Sequence, residues 1–221
     1  MNNIKLLKFD IKRIKSNGLV VCFGNSEAYK SVLVKDLLYY HKDIPFGTVI
    51  SHTDTNNQFY ENLFPNTVIH DTYNPQILEN LVKRQKTVRK NSINDSKIDT
   101  RSFLILDNCL VNSKCFGDVG MKHIFYNGRC FNIFSIFSIP YSLILPPSIR
   151  SNIDFIFIFG DNNIYNRKKM YEHYGGMFST FEIFCQVMDD LEDNNCLVIN
   201  NISYSNKLED IVFLYKAQIH N

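Results

Sequence analysis

Leu19-Val-Val-Cys-Phe-Gly-Asn-Ser-Glu-Ala-Tyr-Lys-Ser31 combines an apolar run, a turn and the start of a helical pattern. The apolar run ends at Gly24, and Lys30 and the hydroxyl of Ser31 follow six residues further on. This is the skeleton of a phosphate-binding loop, in which backbone N–H groups and a helix N-terminus hold phosphate oxygens. The stretch therefore predicts a strand, loop and helix at the centre of an α/β domain.

The candidate nucleotide-binding residues are those of this loop, namely Gly24, Asn25, Ser26, Glu27, Ala28, Tyr29, Lys30 and Ser31. In such a loop the lysine neutralises the β- and γ-phosphates, and the hydroxyl that follows it ligates Mg²⁺. The usual pattern is G-x-x-x-x-G-K-[ST], whereas Tyr29 stands here in place of the glycine before the lysine. Glycine lets the backbone approach a phosphate without a Cβ in the way. We therefore expect the Tyr29 side chain either to point elsewhere or to block the site.

Composition limits the class of protein. The chain has 221 residues, 24 of them basic and 22 acidic. This size fits one α/β domain, and the near-neutral charge provides no global field for holding nucleic acid. The six cysteines include no C-x-x-C pair, so we expect buried free thiols in a reducing compartment. Because we find no signal-peptide pattern and no apolar run of about 18 residues, we expect a soluble intracellular protein.

Apolar runs alternate with helical patterns along the chain. We predict strands at 19–23, 47–51, 67–70, 103–107, 131–139, 154–159, 196–199 and 211–215, and helices at 30–40, 76–89, 121–126, 166–174 and 180–188. A short turn or helix follows Pro146, and segments 51–58 and 90–100 are predicted to be polar loops. The alternation predicts a mostly parallel sheet with helices on both faces. We expect a basic lead-in over residues 1–16, with a hint of an edge strand, and a single domain over residues 17–221.

The apolar run Phe103-Leu-Ile-Leu-Asp107 places a carboxylate at the end of a predicted buried strand. Open parallel sheets bind their ligands at the carboxyl ends of the strands, so Asp107 suits a Mg²⁺ site. Taken alone, Asp107 also fits a cap for the next helix. Likewise, Lys30 and Ser31 alone fit an ordinary helix start.

With these motifs and several connecting segments in view, the sequence resembles the DNA-packaging ATPases of nucleocytoplasmic large DNA viruses, a branch of the HerA/FtsK class of P-loop motors. The resemblance covers roughly residues 8–217. It includes Ser31-Val-Leu-Val-Lys-Asp-Leu-Leu-Tyr-Tyr-His-Lys-Asp-Ile-Pro45, Gly47-Thr-Val-Ile-Ser51, Glu79-Asn-Leu-Val-Lys-Arg-Gln-Lys86, Asn127-Gly-Arg129, Tyr171-Glu-His-Tyr174 and Phe181-Glu-Ile-Phe-Cys-Gln-Val-Met-Asp189. It implies a RecA-like P-loop NTPase core.

The resemblance also implies a ring-forming motor that uses ATP and Mg²⁺ to drive viral DNA into capsids. Lys30 would contact the β- and γ-phosphates, Ser31 and Asp107 would hold Mg²⁺, and Arg150 or Arg129 would act as the finger of a neighbouring subunit. The implied partners are further copies or an active paralogue in the ring, double-stranded DNA and the viral capsid, without a membrane. The implied location is the viral factory in the host cytoplasm, or the virion.

The departures from the family pattern fall on the nucleotide site. Tyr29 replaces a glycine, and Asn108 stands where the family has a second acid that polarises the attacking water. Pro140 stands where the family has a glutamine that senses the γ-phosphate. Glu27 adds a carboxylate near the phosphates, where like charges repel by an energy on the order of a few kcal/mol. We therefore expect weak or absent ATP hydrolysis.

Several alternatives stay open. A P-loop kinase would share the phosphate loop and the acidic strand end but needs an arginine-rich lid, and residues 162–169 offer only Arg167, Lys168 and Lys169. A non-catalytic paralogue would join a ring of active subunits or bind the capsid. The basic run over residues 83–90 either contacts DNA phosphates or forms the solvated face of a helix. The arginines at positions 129 and 150 fit surface ion pairs as well as they fit fingers.

Overall fold

The apolar runs of the chain pair side by side into one sheet. The structure, a computed structural model, describes residues 6–52, 59–110 and 112–220, and the side chains of Glu27 and Ala28 lie outside that description. Within the described residues nine strands form the sheet: β1 (Leu7–Lys8), β2 (Leu19–Phe23), β3 (Gly47–Ser51), β4 (Ile69–His70), β5 (Ser102–Asp107), β6 (Ile133–Ile139), β7 (Phe155–Phe159), β8 (Asn195–Asn200) and β9 (Val212–Lys216).

The strands lie in the order β1-β9-β8-β7-β2-β6-β5-β3-β4. Among them β8 runs antiparallel to its two neighbours, and every other neighbouring pair is parallel. The strand β2 lies near the middle, between β6 and β7. The sheet is therefore mostly parallel, which confirms the predicted α/β class.

Helices cover both faces of the sheet. The described residues form α1 (Glu27–Tyr40), α2 (Pro75–Ser92), α3 (Val119–Asn127), α4 (Pro147–Arg150), α5 (Ile164–Tyr174), α6 (Phe181–Asp189) and α7 (Leu208–Ile211). On one face α1 buries Leu33, Val34 and Leu37 together with apolar residues of the lead-in. On the other face α2, α3, α5 and α6 contribute their apolar sides to a second core. Each strand of the centre is thus buried on both sides, as expected for parallel sheets.

Two helix boundaries differ from the predictions by three residues. The first helix begins at Glu27 rather than at Lys30, because Ser26 takes the capping position. The second helix continues through Ser92, so the first residues of the loop predicted for 90–100 are helical. The predicted loop over 51–58 lies mostly outside the described residues.

Two predicted strands lack their first two residues in the structure. In the stretch 67–70 the β-branched residues suggested a strand, but a 3-10 turn over Asn66–Val68 follows Pro65 and leaves only the two residues of β4. In the stretch 131–139 the strand begins at Ile133, because Asn132 adopts a left-handed conformation with φ 54°. Asparagine tolerates this conformation better than most residues, so it ends the preceding turn.

The two ends of the described chain are tied to the sheet and to α1. The edge strand β1 pairs in parallel with β9, in keeping with the edge-strand hint in the lead-in. The fully buried carboxylate of Asp36 in α1 accepts hydrogen bonds from the Tyr215 hydroxyl at 2.6 Å, the Gln218 amide at 2.8 Å and His220 Nε2 at 2.6 Å. The C-terminal segment is therefore held against the helix that follows the phosphate-binding loop.

Free cysteines occur both in the core and at the surface. All six cysteines are free; Cys22, Cys109 and Cys196 are buried as expected, whereas Cys130 is exposed. Burial is the main cause that raises the pKa of the Cys109 thiol to about 12. In the described ranges no helix combines the length and the apolar character that crossing a membrane requires.

Asp154 joins three elements at the amino edge of the sheet. Its buried carboxylate accepts the Leu19 amide at 2.8 Å, at the start of β2, and forms an ion pair with Arg129. Arg129 also donates to the Asn152 carbonyl at 2.8 Å. The carboxylate therefore fixes the start of β2 beside β7 and the turn before β6.

We expect Asp154→Asn to lower the free energy of unfolding by about 2 kcal/mol, since it removes a buried charge partner of a half-exposed guanidinium. As a control, Asp99→Asn removes a carboxylate from an exposed pair with Arg101 and should cost less than about 1 kcal/mol. Urea denaturation of both variants measures the difference. Equal losses would show that Asp154 is no more than another surface partner.

Candidate functional site

The candidate site lies at the carboxyl edge of the sheet, where β2 and β5 end on either side of β6. Gly24 follows β2, Asp107 is the last residue of β5, and Pro140 follows β6. The strand order therefore places the predicted phosphate loop and the predicted metal carboxylate at one edge.

The loop after β2 is short because α1 starts early. Ser26 caps the helix: its Oγ accepts the Tyr29 amide at 3.4 Å, and its carbonyl accepts the Lys30 amide at 3.3 Å. Backbone N–H groups at these positions are the ones that a phosphate-binding loop offers to its ligand. Two of them are thus engaged within the helix, which leaves a smaller anion cradle than the usual glycine-rich loop.

Tyr29 points away from the strand that carries Asp107. Its ring lies against Phe159 at the end of β7, with 6.2 Å between ring centroids. A hydrogen bond to Asp193, which precedes β8, is the main cause that raises the pKa of the Tyr29 phenol. Both partners lie on the β7 and β8 side of β2, whereas β5 lies on the other side. The Tyr29 side chain is thus held on the β7 side of β2.

The last residue of β7 and the residues that follow it contact the loop after β2. A Cβ on Gly24 would lie 3.1 Å from the Phe159 ring, so the glycine permits this close approach. Asn25 donates from Nδ2 to the Asp161 carboxylate, which also accepts Asn166 Nδ2 at 3.0 Å. Sequence reasoning missed Asp161, although the turn-forming run over residues 160–163 after an apolar strand was a signal for it.

The segment considered as a kinase lid is a helix in the structure. Arg167 is buried in α5, donates to the Asp161 carbonyl and forms an ion pair with Asp189 at 2.7 Å. A buried and paired arginine is held in place by the fold. This segment therefore offers little of the mobile basic surface that a lid needs.

Lys30 and Asp107 bring opposite charges to the same buried region. Lys30 is 2 % exposed and Asp107 is 5 % exposed. The pKa of the neighbouring Cys22 thiol is raised, first by burial and then by the charge of Asp107, while the charge of Lys30 lowers it. Both charges therefore act on one buried thiol. Ser31, the other predicted Mg²⁺ ligand, follows Lys30 in α1 and is half-buried.

Asp107 lies in a row of polar residues that crosses the sheet. Ser51 of β3, Asp107 of β5, Ser138 of β6 and Cys22 of β2 are register partners in successive strands. Register partners in parallel strands face the same side, which here is the side of α1. The Ser138 hydroxyl is buried and makes no hydrogen bond with a described residue.

Tyr60 is a second functional candidate that sequence reasoning missed. Its hydroxyl donates to Asp107 Oδ2 at 2.9 Å, and the side chain is 1 % exposed. The residue follows a polar stretch without periodicity, which gave no signal of burial. For Ser138 a signal did exist, since it is one of two serines in a strand whose other residues are apolar.

Asn108 has a structural reason to be asparagine. It follows β5 in a left-handed conformation with φ 49°, and its amide donates to the Ser138 carbonyl at 2.9 Å. Its side chain lines a cavity of about 480 Å³ together with residues that follow β3 and β4, among them His52 and Asp71. An amide side chain cannot take a proton from water, so Asn108 does not supply the base that a carboxylate at this position would.

The two candidate finger arginines lie at the opposite edge. Arg129 precedes β6 and is engaged with Asp154, as described above. Arg150 ends α4, before β7, with its guanidinium carbon 5.9 Å from the centroid of the Tyr174 ring. Its Nη1 is buried and makes no hydrogen bond within the described part of the chain. Both arginines are thus remote from the loop of their own subunit, and the finger role stays a prediction.

The donor chemistry of the site fits a metal–phosphate group. Ser31 and Asp107 offer oxygen ligands, which Mg²⁺ prefers, and Lys30 offers a positive charge to a phosphate. The Glu27 and Ala28 side chains, which belong to the predicted loop, lie outside the described residues. The arrangement can therefore hold a nucleotide phosphate with its metal, although with a reduced set of backbone donors.

Solved structures with the same fold include a viral ATPase. The genome packaging NTPase B204 of Sulfolobus turreted icosahedral virus 2, solved with AMP, aligns with a TM-score of 0.61 at 16% identity, over 93% of this chain and 100% of that one. The same protein was also solved with ATP-gammaS, with a TM-score of 0.59. EssC (ATPases 2 and 3) of Geobacillus thermodenitrificans aligns with a TM-score of 0.56 at 14% identity, over 93% of this chain and 41% of that one. At these identities the likeness shows the fold.

Sequence relatives come from viruses. Protein 088R of Invertebrate iridescent virus 3 is 34% identical over 204 residues, which span 91% of this chain and 76% of the relative. Protein L437 of Acanthamoeba polyphaga mimivirus is 32% identical over 223 residues, which span 98% of this chain and 78% of the relative. No protein-family model matches the chain. The resemblance to viral packaging ATPases is confirmed in the fold, and the chain belongs to the family of viral proteins that includes 088R and L437.

Proposed function

We propose that this chain is a subunit of the viral genome-packaging ATPase type, which binds Mg²⁺·ATP between α1 and β5 and hydrolyses it slowly. The observation that carries the proposal is the convergence of the buried Lys30 and Asp107 charges beside Cys22. Open α/β sheets bind their ligands at the carboxyl ends of the strands, and the two charges meet at that edge. The packaging NTPase B204, which shares the fold, was solved with nucleotides.

The proposed role of each residue follows from the chemistry of its side chain. Lys30 would neutralise the β- and γ-phosphates, and Ser31 and Asp107 would hold the metal. When bound, Mg²⁺ supplies positive charge against the charge that develops on the transferred phosphoryl group. Asn108 accepts no proton, so the attacking water lacks a general base and hydrolysis is slow.

The proposed assembly is a ring of copies, or of this chain with an active paralogue, which acts on double-stranded DNA at the viral capsid. The location would be the viral factory of the host cytoplasm or the virion. Arg129 and Arg150, at the amino edge, would serve the neighbouring subunit. The exposed cations of α2 are candidates for DNA contact, and none forms an ion pair with a described residue: Lys83, Lys86, Arg89 and Lys90.

A specific observation favours a second candidate, a non-catalytic ring subunit or capsid-binding module. The Ser26 cap engages the amides of Tyr29 and Lys30, which an ATP phosphate would otherwise use. Asn108 stands where the resembled family has a base, and Pro140 stands where it has a γ-phosphate sensor. This candidate predicts that the fold and the subunit contacts persist without nucleotide binding.

Calorimetric titration with Mg²⁺·ATP separates the two candidates. Because Lys30 remains and Tyr29 is clear of β5, we expect binding with a Kd on the order of 100 µM or tighter. Lys30→Ala should weaken it by about tenfold or more, since a charge-assisted contact to phosphate is lost. The matched control Lys35→Ala removes the same charge from later in α1 and should leave the Kd unchanged. If the wild-type protein binds no ATP up to millimolar concentrations, the non-catalytic candidate replaces the first.

Restoring a carboxylate after β5 should raise ATP turnover. We expect Asn108→Asp to increase kcat at least about tenfold, because a positioned general base typically contributes a factor of 100 or more. Adding Tyr29→Gly should change little further, since the ring lies on the β7 side of β2, opposite to β5. The control Asn132→Asp makes the same substitution at another left-handed position, with φ 54°, at the other edge of the sheet. Turnover that stays flat in Asn108→Asp would mean that the site lacks more than its base.

A further inference from the structure

The Tyr60 hydroxyl contacts Asp107 in the proposed site, and no sequence motif predicts this contact. We propose that Tyr60 is a positioning residue for Asp107: it holds the metal-binding carboxylate in one orientation. The proposal rests on the proposed function, since it assigns a role within the same nucleotide site. It is carried by the hydrogen bond from the Tyr60 hydroxyl to Asp107 Oδ2 at 2.9 Å and by the burial of both residues.

The backbone at Tyr60 is fixed by the turn that follows it. The Tyr60 carbonyl accepts the Leu63 amide at 2.9 Å and the Phe64 amide at 2.8 Å. Phe64 in turn packs on Phe103 of β5, with ring centroids 4.8 Å apart. The turn is therefore anchored on the strand that ends in Asp107, so that the donor and the acceptor belong to one packed unit.

The Tyr60 ring has little freedom of its own. It belongs to the apolar core on the α1 face of the sheet, and the Phe59 ring meets it edge-on at 4.7 Å between centroids. A tyrosine side chain has two torsion angles, χ1 and χ2, that position its ring, and close packing restricts both. The hydroxyl is thus already in position, and Tyr60 loses no side-chain entropy when a ligand binds.

A carboxylate held at one oxygen also has its other oxygen directed. Partners behind a metal ligand orient the ligand, and removing one typically costs 10- to 100-fold in metal affinity. Ser138, the register partner of Asp107 on β6, makes no hydrogen bond with a described residue and so does not supply this orientation. Tyr60 therefore has the geometry of an orienting partner.

The chain contains a matched pair of the same chemistry elsewhere. The Tyr215 hydroxyl donates to the buried Asp36 carboxylate at 2.6 Å, in α1 and six residues after Lys30. That pair binds the C-terminal segment to α1 and touches none of the proposed ligands. Tyr215→Phe and Tyr60→Phe therefore remove equivalent hydrogen bonds, one structural and one, by the proposal, functional.

The experiment measures ATP binding by calorimetry with Mg²⁺ and again with EDTA, for the wild-type protein, Tyr60→Phe and Tyr215→Phe. The ratio of the two Kd values gives the gain in affinity due to the metal. We expect Tyr60→Phe to reduce that gain by about tenfold while leaving metal-free ATP binding unchanged. Tyr215→Phe should keep the wild-type gain. Circular dichroism and thermal melts of both variants establish that each is folded.

A double-mutant cycle with Asp107→Asn shows whether Tyr60 acts through the carboxylate. The metal-dependent gain lost in Asp107→Asn should not fall further when Tyr60→Phe is added. Additive losses, or a wild-type gain in Tyr60→Phe, would overturn the positioning role while leaving the proposed function in place. If the wild-type protein binds ATP in neither condition, the proposed function fails, and the positioning role fails with it.

Discussion

The complete burial of β2 on both faces is the constraint on which the rest of the structure depends. All five of its side chains are buried, and its neighbours β6 and β7 pair with it along its length. A strand enclosed in this way needs a helical layer above and below, which α1 supplies on one face and α2, α3, α5 and α6 on the other. The chain can leave β2 only at the carboxyl edge. There it turns directly into α1, and this turn is the candidate site.

At that edge the fold and the chemistry make opposite demands on the same few residues. A serine cap stabilises α1 by satisfying its first amides, and the same hydrogen bonds withdraw those amides from a phosphate. The charges of Lys30 and Asp107 remain, and both are buried close enough to Cys22 to act on its thiol. Burial of a lone charge is unfavourable, so each must be compensated by its surroundings. The site thus keeps the Lys30 and Asp107 charges, while the Tyr29 and Lys30 amides form hydrogen bonds within the helix start.

Sequence reasoning was most accurate where local pattern and burial coincide. The strands over 19–23 and 47–51 were predicted to the residue, because consecutive apolar or β-branched residues fill them. Asp107 was predicted at a strand end for the same reason. Tyr60 escaped prediction because its contact joins residues 47 positions apart. The capping role of Ser26 escaped prediction because the residue fitted the pattern of a phosphate-binding loop. Three-dimensional geometry decides between a helix cap and a phosphate-binding loop.

The two outermost strands of the sheet have a consequence for how copies of this chain can meet. In the described residues β1 and β4 are each only two residues long, although the sheet between them has long strands. A short edge offers few unpaired backbone groups, which is how natural proteins prevent one sheet from adding to another. We therefore expect any assembly of these subunits to be built through side chains on helices and loops. Such contacts can be broken and remade as a ring changes shape, whereas a continuous intermolecular sheet would lock the subunits together.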